Sequence, residues 1–374
     1  MDSRYLKPGR PIKNILERLL VVWPLNLIRW LLHRCSPSLP IKPGRVLIIR
    51  HNQLGDAVAS SALVQALREH FPTAAIDVLA SAYNREVFTW IPGLNQVIVR
   101  PTGFIRRFRL LLQLRGRYDL VFQTLFEEHY LQRTVAARLV AWRGVLIGHA
   151  RQTPLQSLMD HAVYLPSGLY PVKLLALLQP LGAPSPTHLA ARFPRHSLSL
   201  PAAAQDVARQ KLAAMNLMPG EFIALNISAR LAERSLGDIQ AGDIARAILA
   251  AGRQVLVVAA PGQEDRVDAV LRAAPGSASL AFGSLPEAMA AVGLAALHVG
   301  PDTGTVHFAA AAGVPCVVVF SARASPDVWS PYGVPFVSLQ AQAGQQVSDI
   351  AAAKILQAVA QLDSQTNRCR PCLA

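Results

Sequence analysis

The amino-acid sequence predicts an α/β protein with two doubly wound, parallel-sheet domains. Apolar strand-like runs alternate with helical segments at the spacing of strand–helix–strand units, and this series occurs twice. A cluster of prolines within 180–205 separates the two series. A chain of 374 residues also exceeds what one hydrophobic core usually supports, so two domains are expected.

The first series begins at residue 45 and predicts the N-terminal Rossmann-like domain, residues 45–190. Residues 45–50 form a short apolar strand, followed by a polar turn and a helix over 57–71. A basic amphipathic helix is predicted over 104–117, and further strands over 76–80, 97–99 and 119–122. A linker over 191–213 follows.

The second series predicts a C-terminal Rossmann-like domain, residues 214–345. Its strands are expected at 222–227, 254–259 and 314–320, and its helices near 243–251 and 264–273. Residues 346–374 complete the chain as a helix and a tail, and the helix could pack back across the domains. Two such domains facing each other would enclose a cleft, where ligands usually bind.

The first 44 residues predict a basic amphipathic helical arm. Residues 12–35 combine leucines, basic side chains, Trp23 and Trp30, the mixture expected at a membrane surface. The uncharged stretch from Leu19 to Ile28 is too short to span a bilayer, and no secretory cleavage site follows. We favour contact with a membrane surface. The alternative is an arm that covers the globular domain or a partner chain.

The net charge of +14 lies in two stretches. Residues 1–45 hold nine basic side chains against two acids, and residues 100–151 hold ten against three. Such a basic half favours an anionic partner, acidic lipid or a phosphorylated glycan. Nucleic acid is a weaker candidate, because leucines rather than stacking aromatics separate the arginines and no known binding motif is present.

Cysteine usage indicates a reducing compartment. The four cysteines are too few and too scattered for a disulfide framework. Cys369 and Cys372 form one C-x-x-C pair in the last residues, with no second pair that would complete a zinc site. The pair is therefore interpreted as part of a loose tail.

Residues 298–313 contain the most informative pattern, a strand end, a polar turn and the start of a small-residue helix. Asp302 and Thr303 stand where a helix N-cap is expected, and Gly304 permits close approach of the backbone to a ligand. His307 lies one helical turn after Thr303 and can point to the same end. Helix N-termini bind phosphate and other anions, although capping alone would also explain Asp302 and Thr303.

Other polar residues follow predicted strands and so lie at the same edge of their sheets. Asp56 closes the turn after the first strand, where it could act as a general base or simply cap the next helix. Candidate phosphate or ribose contacts in the second domain are Ser228, Arg230, Arg234 and Glu264, with a solvated loop and a simple helix start as the alternatives. The chain has no G-x-G-x-x-G, P-loop, H-E-x-x-H or paired metal-ligand spacing, so we expect no cofactor and no metal.

Two of these segments resemble glycosyltransferase family 9, the ADP-heptose:lipopolysaccharide heptosyltransferases. Residues 45–56, RVLIIRHNQLGD, are similar to its N-terminal signature. Residues 300–307, GPDTGTVH, with AAAGVP at 310–315, resemble its nucleotide-sugar motif, and 329–333, WSPYG, its Trp-x-Pro-Tyr-Gly ending. The resemblance extends over about residues 45–335.

The resemblance implies a GT-B architecture and an inverting, metal-independent sugar transfer. Asp56 would be the base that deprotonates the acceptor hydroxyl, with domain closure bringing it to the substrate. Asp302 would hold the donor sugar, and Thr303, Gly304 and His307 would bind its diphosphate. The donor would be a nucleoside-diphosphate sugar, with ADP-heptose favoured. The acceptor would be lipopolysaccharide core or another anionic lipid-linked glycan at the cytoplasmic face of the inner membrane.

The sequence departs from the family pattern in two places. Residues 232–236, AERSL, replace the usual basic run that ends in Trp-Pro, so that Arg234 would have to supply the phosphate-binding cation beside Glu233. Residues 51–53, HNQ, stand where small hydroxyl residues are common. These changes leave open a nucleotide-sugar-binding protein of GT-B shape without transferase activity. A nucleotide-sugar epimerase is a further alternative.

Overall fold

The chain forms two compact units, residues 1–197 and 198–374. A computed structural model describes residues 23–24, 26–27, 38–125, 130–151, 153–279 and 283–367. Most of the predicted N-terminal arm, and the Cys369–Cys372 pair, lie outside these residues. No helix in the described part of the chain is long and apolar enough to cross a membrane.

The first unit is built on a six-stranded parallel sheet with the order β3-β2-β1-β4-β5-β6. Its central strand β1 is apolar and almost fully buried, as expected for a parallel sheet covered on both faces. The strands are β1 (Arg45–Ile49), β2 (Ala75–Ala80), β3 (Gln96–Val99), β4 (Leu120–Gln123), β5 (Val145–His149) and β6 (His161–Val163).

Helices connect these strands and cover the sheet. They are α1 (Leu54–Ala59), α2 (Ser61–His70), α3 (Arg85–Thr89), α4 (Phe104–Leu114), α5 (Tyr130–Val140), α6 (Tyr170–Ala176) and α7 (Pro186–Arg192), with 3₁₀ turns at Pro154–Leu158 and Gln179–Leu181. The single helix predicted over 57–71 is in fact two, α1 and α2, which meet at Ser60. The Ser60 hydroxyl donates to Asp56 O, one turn back, a bond that competes with the regular helix ladder.

The second unit repeats the plan, with a parallel sheet in the order β12-β11-β10-β7-β8-β9. Its strands are β7 (Phe222–Asn226), β8 (Gln254–Val258), β9 (Ala278–Ser279), β10 (Leu297–Pro301), β11 (Cys316–Phe320) and β12 (Phe336–Gln340). Apolar side chains from both faces of this sheet form two separate core clusters, one under each helical layer.

The helices of the second unit are α8 (Ala202–Ala214), α9 (Asp238–Ala250), α10 (Glu264–Ala273), α11 (Leu285–Gly293), α12 (Gly304–Ala311), α13 (Pro326–Trp329) and α14 (Ala352–Asn367), with 3₁₀ turns at Ala232–Arg234 and Val347–Asp349. The linker predicted at 191–213 needs correction. Its second half forms α8, whose Ala208 and Leu212 lie in the core of this unit. Helix α14 likewise packs into the core of the second unit, through Ile355 and Leu362.

In each sheet the strand order reverses beside the first strand of the unit. The reversal falls between β1 and β4 in the first sheet and between β7 and β10 in the second. Ligands of doubly wound sheets bind outside the carboxyl ends of the strands at this point. Asp56 follows β1, Ser228 follows β7 and Asp302 follows β10, so the predicted residues lie at the switch points of their own sheets.

Candidate functional site

Asp56 lies in the first turn of α1 and is buried, with 6% of its surface exposed. The helix begins at Leu54 with Gln53 as its N-cap, so Asp56 does not occupy the N-cap that the sequence allowed. Asp56 Oδ2 accepts a hydrogen bond from Gln53 N at 2.9 Å, and Oδ1 forms an ion pair with the guanidinium of Arg50. The carboxylate is therefore fixed through both oxygens.

Arg50, the residue after β1, organises this edge of the first sheet. It is 2% exposed and donates to Thr124 O and to Tyr170 Oη, while its guanidinium lies over the Tyr170 ring. Burial alone would lower the pKa of Arg50, but the adjacent Asp56 carboxylate and Tyr170 raise it above its usual value. Arg50 thus stays a cation beside Asp56 and joins β1, β4 and α6.

A basic cluster surrounds His51 at the same edge. Burial, and after it the charges of the nearby Arg100, Arg133, Arg50 and Arg107, lower the pKa of His51 to about 3. The pKa of Arg100 is lowered as well, by burial and by repulsion from Arg107 and Arg133. These side chains come from different elements, since Arg100 follows β3, Arg107 belongs to α4 and Arg133 to α5. Several cations brought this close form a site suited to an anion.

The predicted donor residues meet in the second unit. Thr303 is the N-cap residue of α12, and Gly304 is its first residue. Asp302 lies outside the helix and does not cap it. Its Oδ2 accepts from Arg234 Nη2 at 2.8 Å, and the same nitrogen donates to Asp302 O at 2.9 Å. The structure thus joins two residues that the sequence assigned separately, one to the sugar and one to the phosphate.

Asn226, at the end of β7, ties this turn to the neighbouring loop. Its side-chain amide donates to Thr303 Oγ1 and Thr305 Oγ1, both at 3.1 Å, and to Ser228 O. A Cβ at Gly300 would lie 2.9 Å from both Cβ and O of Asn226, so that only glycine lets β10 pass so close to this side chain. The close approach sets the position from which α12 starts.

The other predicted donor-binding residues are Ser228, Arg230 and Glu264, and they differ in whether their side chains already bond within the protein. Ser228 is buried and its hydroxyl accepts from Ala260 N at 2.8 Å, which links the loops after β7 and β8. Arg230 is exposed on its loop. Glu264 is the first residue of α10, and its carboxylate accepts from Gly262 N at 3.0 Å. Hydrogen bonds from the Glu264 and Gly262 N–H groups lower the pKa of this carboxyl, so Glu264 mainly stabilises its own turn.

His307 points inward rather than to the surface. It is 6% exposed, and its ring meets that of Trp329 edge to face with the ring centres 6.0 Å apart. Trp329 begins the Trp-x-Pro-Tyr-Gly motif, whose Tyr332 is also buried, and this burial raises the pKa of Tyr332 to about 12. The motif therefore supports α12 from the side.

Three features of these sites were not predicted from the sequence: the roles of Arg50 and Asn226, and the cluster of cations around His51. In the sequence, Arg50 only ends a strand and Asn226 only opens a loop. The arginines of the cluster, Arg100, Arg107 and Arg133, are spread along a basic stretch. A polar residue immediately after a buried parallel strand is the signal that could have identified Arg50 and Asn226. Within the described residues, no three or more His, Cys, Asp or Glu side chains form a group that could hold a metal ion.

Comparisons with known proteins agree with the sequence motifs. The family model "Glycosyltransferase family 9 (heptosyltransferase)" matches residues 186–357. Lipooligosaccharide heptosyltransferase 2 of Haemophilus ducreyi is 32% identical over 81 residues, which cover 20% of this chain and 23% of that relative.

Solved structures match almost over their full length. A family 9 glycosyltransferase of Veillonella parvula superimposes with a TM-score of 0.72 and 16% identity, over 87% of this chain and 99% of that one. The ADP-heptose lipopolysaccharide heptosyltransferase II of E. coli gives 0.66 and 20%, over 86% and 99%. The shared fold confirms the predicted GT-B architecture. The motifs and the family model, which matches fewer than half of the residues, make the chain similar to glycosyltransferase family 9.

Proposed function

We propose that this protein transfers a heptose or a related sugar from a nucleoside-diphosphate sugar, with ADP-heptose favoured, to a hydroxyl of lipopolysaccharide core or another lipid-linked glycan. The buried Asp56 carboxylate, held by Arg50 at the switch point of the first sheet, is the observation that carries the proposal. The family match and the names of the relatives support the choice of sugar and acceptor.

The proposed reaction is a single displacement that inverts the configuration at the transferred sugar. Asp56 accepts the proton of the acceptor hydroxyl while that oxygen attacks the anomeric carbon, and the bond to the nucleoside diphosphate breaks with its electron pair leaving on the diphosphate. The two donors that bind Asp56 orient it before the substrate arrives. No covalent intermediate on the protein is required.

The second unit would bind the donor. The N-terminus of α12 offers N–H groups and the positive end of a helix to the diphosphate, and Arg234 and Arg230 supply cations nearby. Asp302 would accept hydrogen bonds from hydroxyls of the sugar. These groups can stabilise the charge of the leaving diphosphate, so we propose a transfer that needs no metal ion.

The basic cluster around His51 would bind an acidic group of the acceptor. Arg100 and Arg107 lie at the same sheet edge as Asp56, and a phosphate or carboxylate there would offset the repulsion between them. An acidic lipid-linked glycan supplies such groups. This acceptor would also require the protein to work at the cytoplasmic face of the inner membrane, as a peripheral protein.

The test is a transfer assay with the purified full-length chain, ADP-heptose and an acidic lipid-linked acceptor. We expect release of ADP, an acceptor heavier by one heptose, inversion at the anomeric carbon and undiminished activity in excess EDTA. Loss of activity in EDTA that added metal restores, or retention of configuration, would contradict the proposed mechanism. If the protein transferred sugar only from a nucleotide sugar other than ADP-heptose, the proposed donor would be wrong and the proposed mechanism would be unaffected.

A nucleotide-sugar-binding protein without transferase activity is the second candidate. The Arg234–Asp302 pair favours it, because two groups that should contact the donor satisfy each other. Calorimetry with ADP-, GDP- and UDP-sugars, followed by the transfer assay on membrane extracts, distinguishes the two functions. Tight binding without transfer to any acceptor would support the binding protein.

A further inference from the structure

Helix α4 in the first unit has two apolar faces, and within the described residues only one of them packs against the rest of the unit. Leu110, Leu111 and Leu114 contact the hydrophobic core of the unit. Four large apolar side chains on the other face remain exposed, Phe104 by 82%, Ile105 by 66%, Phe108 by 46% and Leu112 by 48%. The Phe104 and Phe108 rings lie parallel with their centres 6.4 Å apart, so they form one continuous apolar surface.

Basic side chains accompany this exposed face. At about 100° per residue, Phe104, Phe108, Leu112 and Ile105 fall within roughly one third of the helix circumference, and Arg109 and then Arg106 follow on one side. Both arginines are exposed. Residues 100–118 contain six arginines and no acidic residue. An apolar strip bordered by cations is the pattern of a helix that lies in the interface of an anionic bilayer.

The position of α4 connects this face to the acceptor side of the first sheet. The helix follows β3, so its first turns, with Phe104, Ile105 and Phe108, lie at the carboxyl edge of the sheet. Arg107, on the same helix, belongs to the basic cluster around His51. A surface that touched lipid through α4 would therefore lie beside Asp56 and the proposed acceptor site.

We propose that the outward face of α4, formed by Phe104, Ile105, Phe108 and Leu112 with Arg106 and Arg109, docks on the surface of an anionic lipid bilayer. The apolar side chains enter the boundary between headgroups and acyl chains, and the arginines meet the lipid phosphates. The inference deepens the proposed function, since it rests on a lipid-linked acceptor. It can nevertheless be tested without any sugar transfer.

The first test is sedimentation of the full-length protein with phosphatidylglycerol–phosphatidylethanolamine vesicles, without donor or acceptor. The double variant F104S/F108S should bind at least about tenfold more weakly, because two exposed aromatic side chains no longer enter the lipid. R106E/R109E should lose most of the vesicle binding that wild type shows at low salt, where the attraction between arginines and lipid phosphates is least screened. The matched control I239S, which removes an isoleucine that is 83% exposed on α9 of the other unit, should bind like wild type.

Because these side chains are exposed, the variants should unfold thermally like wild type, which circular dichroism checks. Unchanged vesicle binding by F104S/F108S would overturn the proposal and indicate that another part of the chain, such as residues 1–37, holds the membrane. A wild-type dimer that F104S/F108S converts to a monomer, with no change in vesicle binding, would overturn it in favour of a second copy of the chain on this face.

A second arm separates this inference from the proposed function. F104S/F108S should transfer sugar to a delipidated acceptor at the wild-type rate and should be slower only on an acceptor embedded in vesicles. Equal slowing on both acceptors would overturn the docking role, because it would indicate a damaged acceptor site. If wild type transfers no sugar at all, the proposed function fails, while vesicle binding still decides whether α4 docks.

Discussion

At the scale of single residues, the ion pair with Arg50 leaves Asp56 able to act as the proposed base. Each oxygen of Asp56 has one donor, Gln53 N or Arg50, and each retains a lone pair. A substrate hydroxyl can donate to such a lone pair without breaking the ion pair. Arg50 would then orient the base rather than compete with the substrate for it.

The variant Asp56→Asn tests this role. The amide oxygen of the new side chain can still accept from Gln53 N, but the amide cannot take a proton, so kcat should fall by about 10² to 10⁴ while the Kd of the donor stays unchanged. Rapid-quench kinetics and calorimetry measure the two quantities. The matched control is Asp160→Asn, since the Asp160 side chain is only 7% exposed and is likewise paired with an arginine, Arg138, at 2.7 Å.

The control variant should lose stability, because it removes the carboxylate that pairs with the buried Arg138. Its folded fraction should transfer sugar at the wild-type rate. A D56N protein as active as wild type would eliminate Asp56 as the base. If both folded variants lost kcat equally, the loss in D56N would come from the disrupted ion pair and not from removal of the base.

Arg234 poses the corresponding question for the donor. If it contacts the diphosphate, Arg234→Ala should weaken donor binding by about tenfold or more, the effect of losing a charge-assisted hydrogen bond. Calorimetry with ADP-heptose measures the change. Arg246→Ala, which removes an exposed arginine paired with Asp243 on α9, should leave the affinity unaltered. Tighter donor binding by R234A would instead show that Arg234 only restrains Asp302.

At the scale of elements, the turn between β10 and α12 depends on Gly300. A methyl group there would meet backbone and side-chain atoms of Asn226 at 2.9 Å, which neither strand can avoid without moving. Gly300→Ala should therefore destabilise the protein by about 1–3 kcal/mol and weaken donor binding, because the start of α12 shifts. Chemical unfolding and calorimetry measure both effects.

Gly283→Ala is the matched control in the same unit. The nearest described atoms to the new Cβ would be those of the Glu287 carboxylate, at 3.4 Å and beyond, which is an ordinary van der Waals distance. We expect little change in stability or in donor affinity. A G300A protein with wild-type affinity would show that the position of α12 does not depend on the close approach of β10 to Asn226.

Strongly apolar or periodic elements were predictable from the sequence, and several short elements that begin or end in polar residues were not. Helix α10 begins and ends where its pattern does, at Glu264 and Ala273. Strands β5 and β6 end or start in histidines and lack a clear period, so sequence patterns do not reveal them. Helix α8 falls in the predicted linker because of the nearby prolines, although Pro201 simply occupies its N-cap.

The same distinction applies to the sites. The positions of Asp56, Asp302, Thr303 and Gly304 at the sheet edges could be predicted because these residues follow strands in a motif. The Arg234–Asp302 pair and the cluster around His51 join residues that are far apart in sequence, and only the packing of the sheet determines which of them meet. Sequence patterns indicate the edge on which a side chain lies, not its partner.

At the scale of the whole molecule, buried histidines make stability sensitive to acid. Burial lowers the pKa of His298 to about 4, and both of its ring nitrogens are buried without a hydrogen-bond partner. Its folded pKa is thus below its unfolded value. The stabilisation is complete above the unfolded pKa and is lost as the pH falls toward the folded one.

Replacing His298 by leucine should reduce this acid sensitivity. Wild type should lose about 2 kcal/mol more of its free energy of unfolding between about pH 7.5 and about pH 4.5 than His298→Leu does. Denaturant unfolding at the two pH values measures the difference. Identical pH dependence in the two proteins would mean that His298 does not titrate differently in the folded and unfolded states.

Arg50 has a consequence for the motions of the first unit. It is buried and bonded to Asp56, Thr124 and Tyr170, so it restrains the end of β1, the loop after β4 and the start of α6 together. Amides around Gln53 and Asp56 should therefore exchange with deuterium only in rare openings, even without substrate. In the proposed reaction, each acceptor would then meet a carboxylate that is already oriented, with no rebuilding of the site between one transfer and the next.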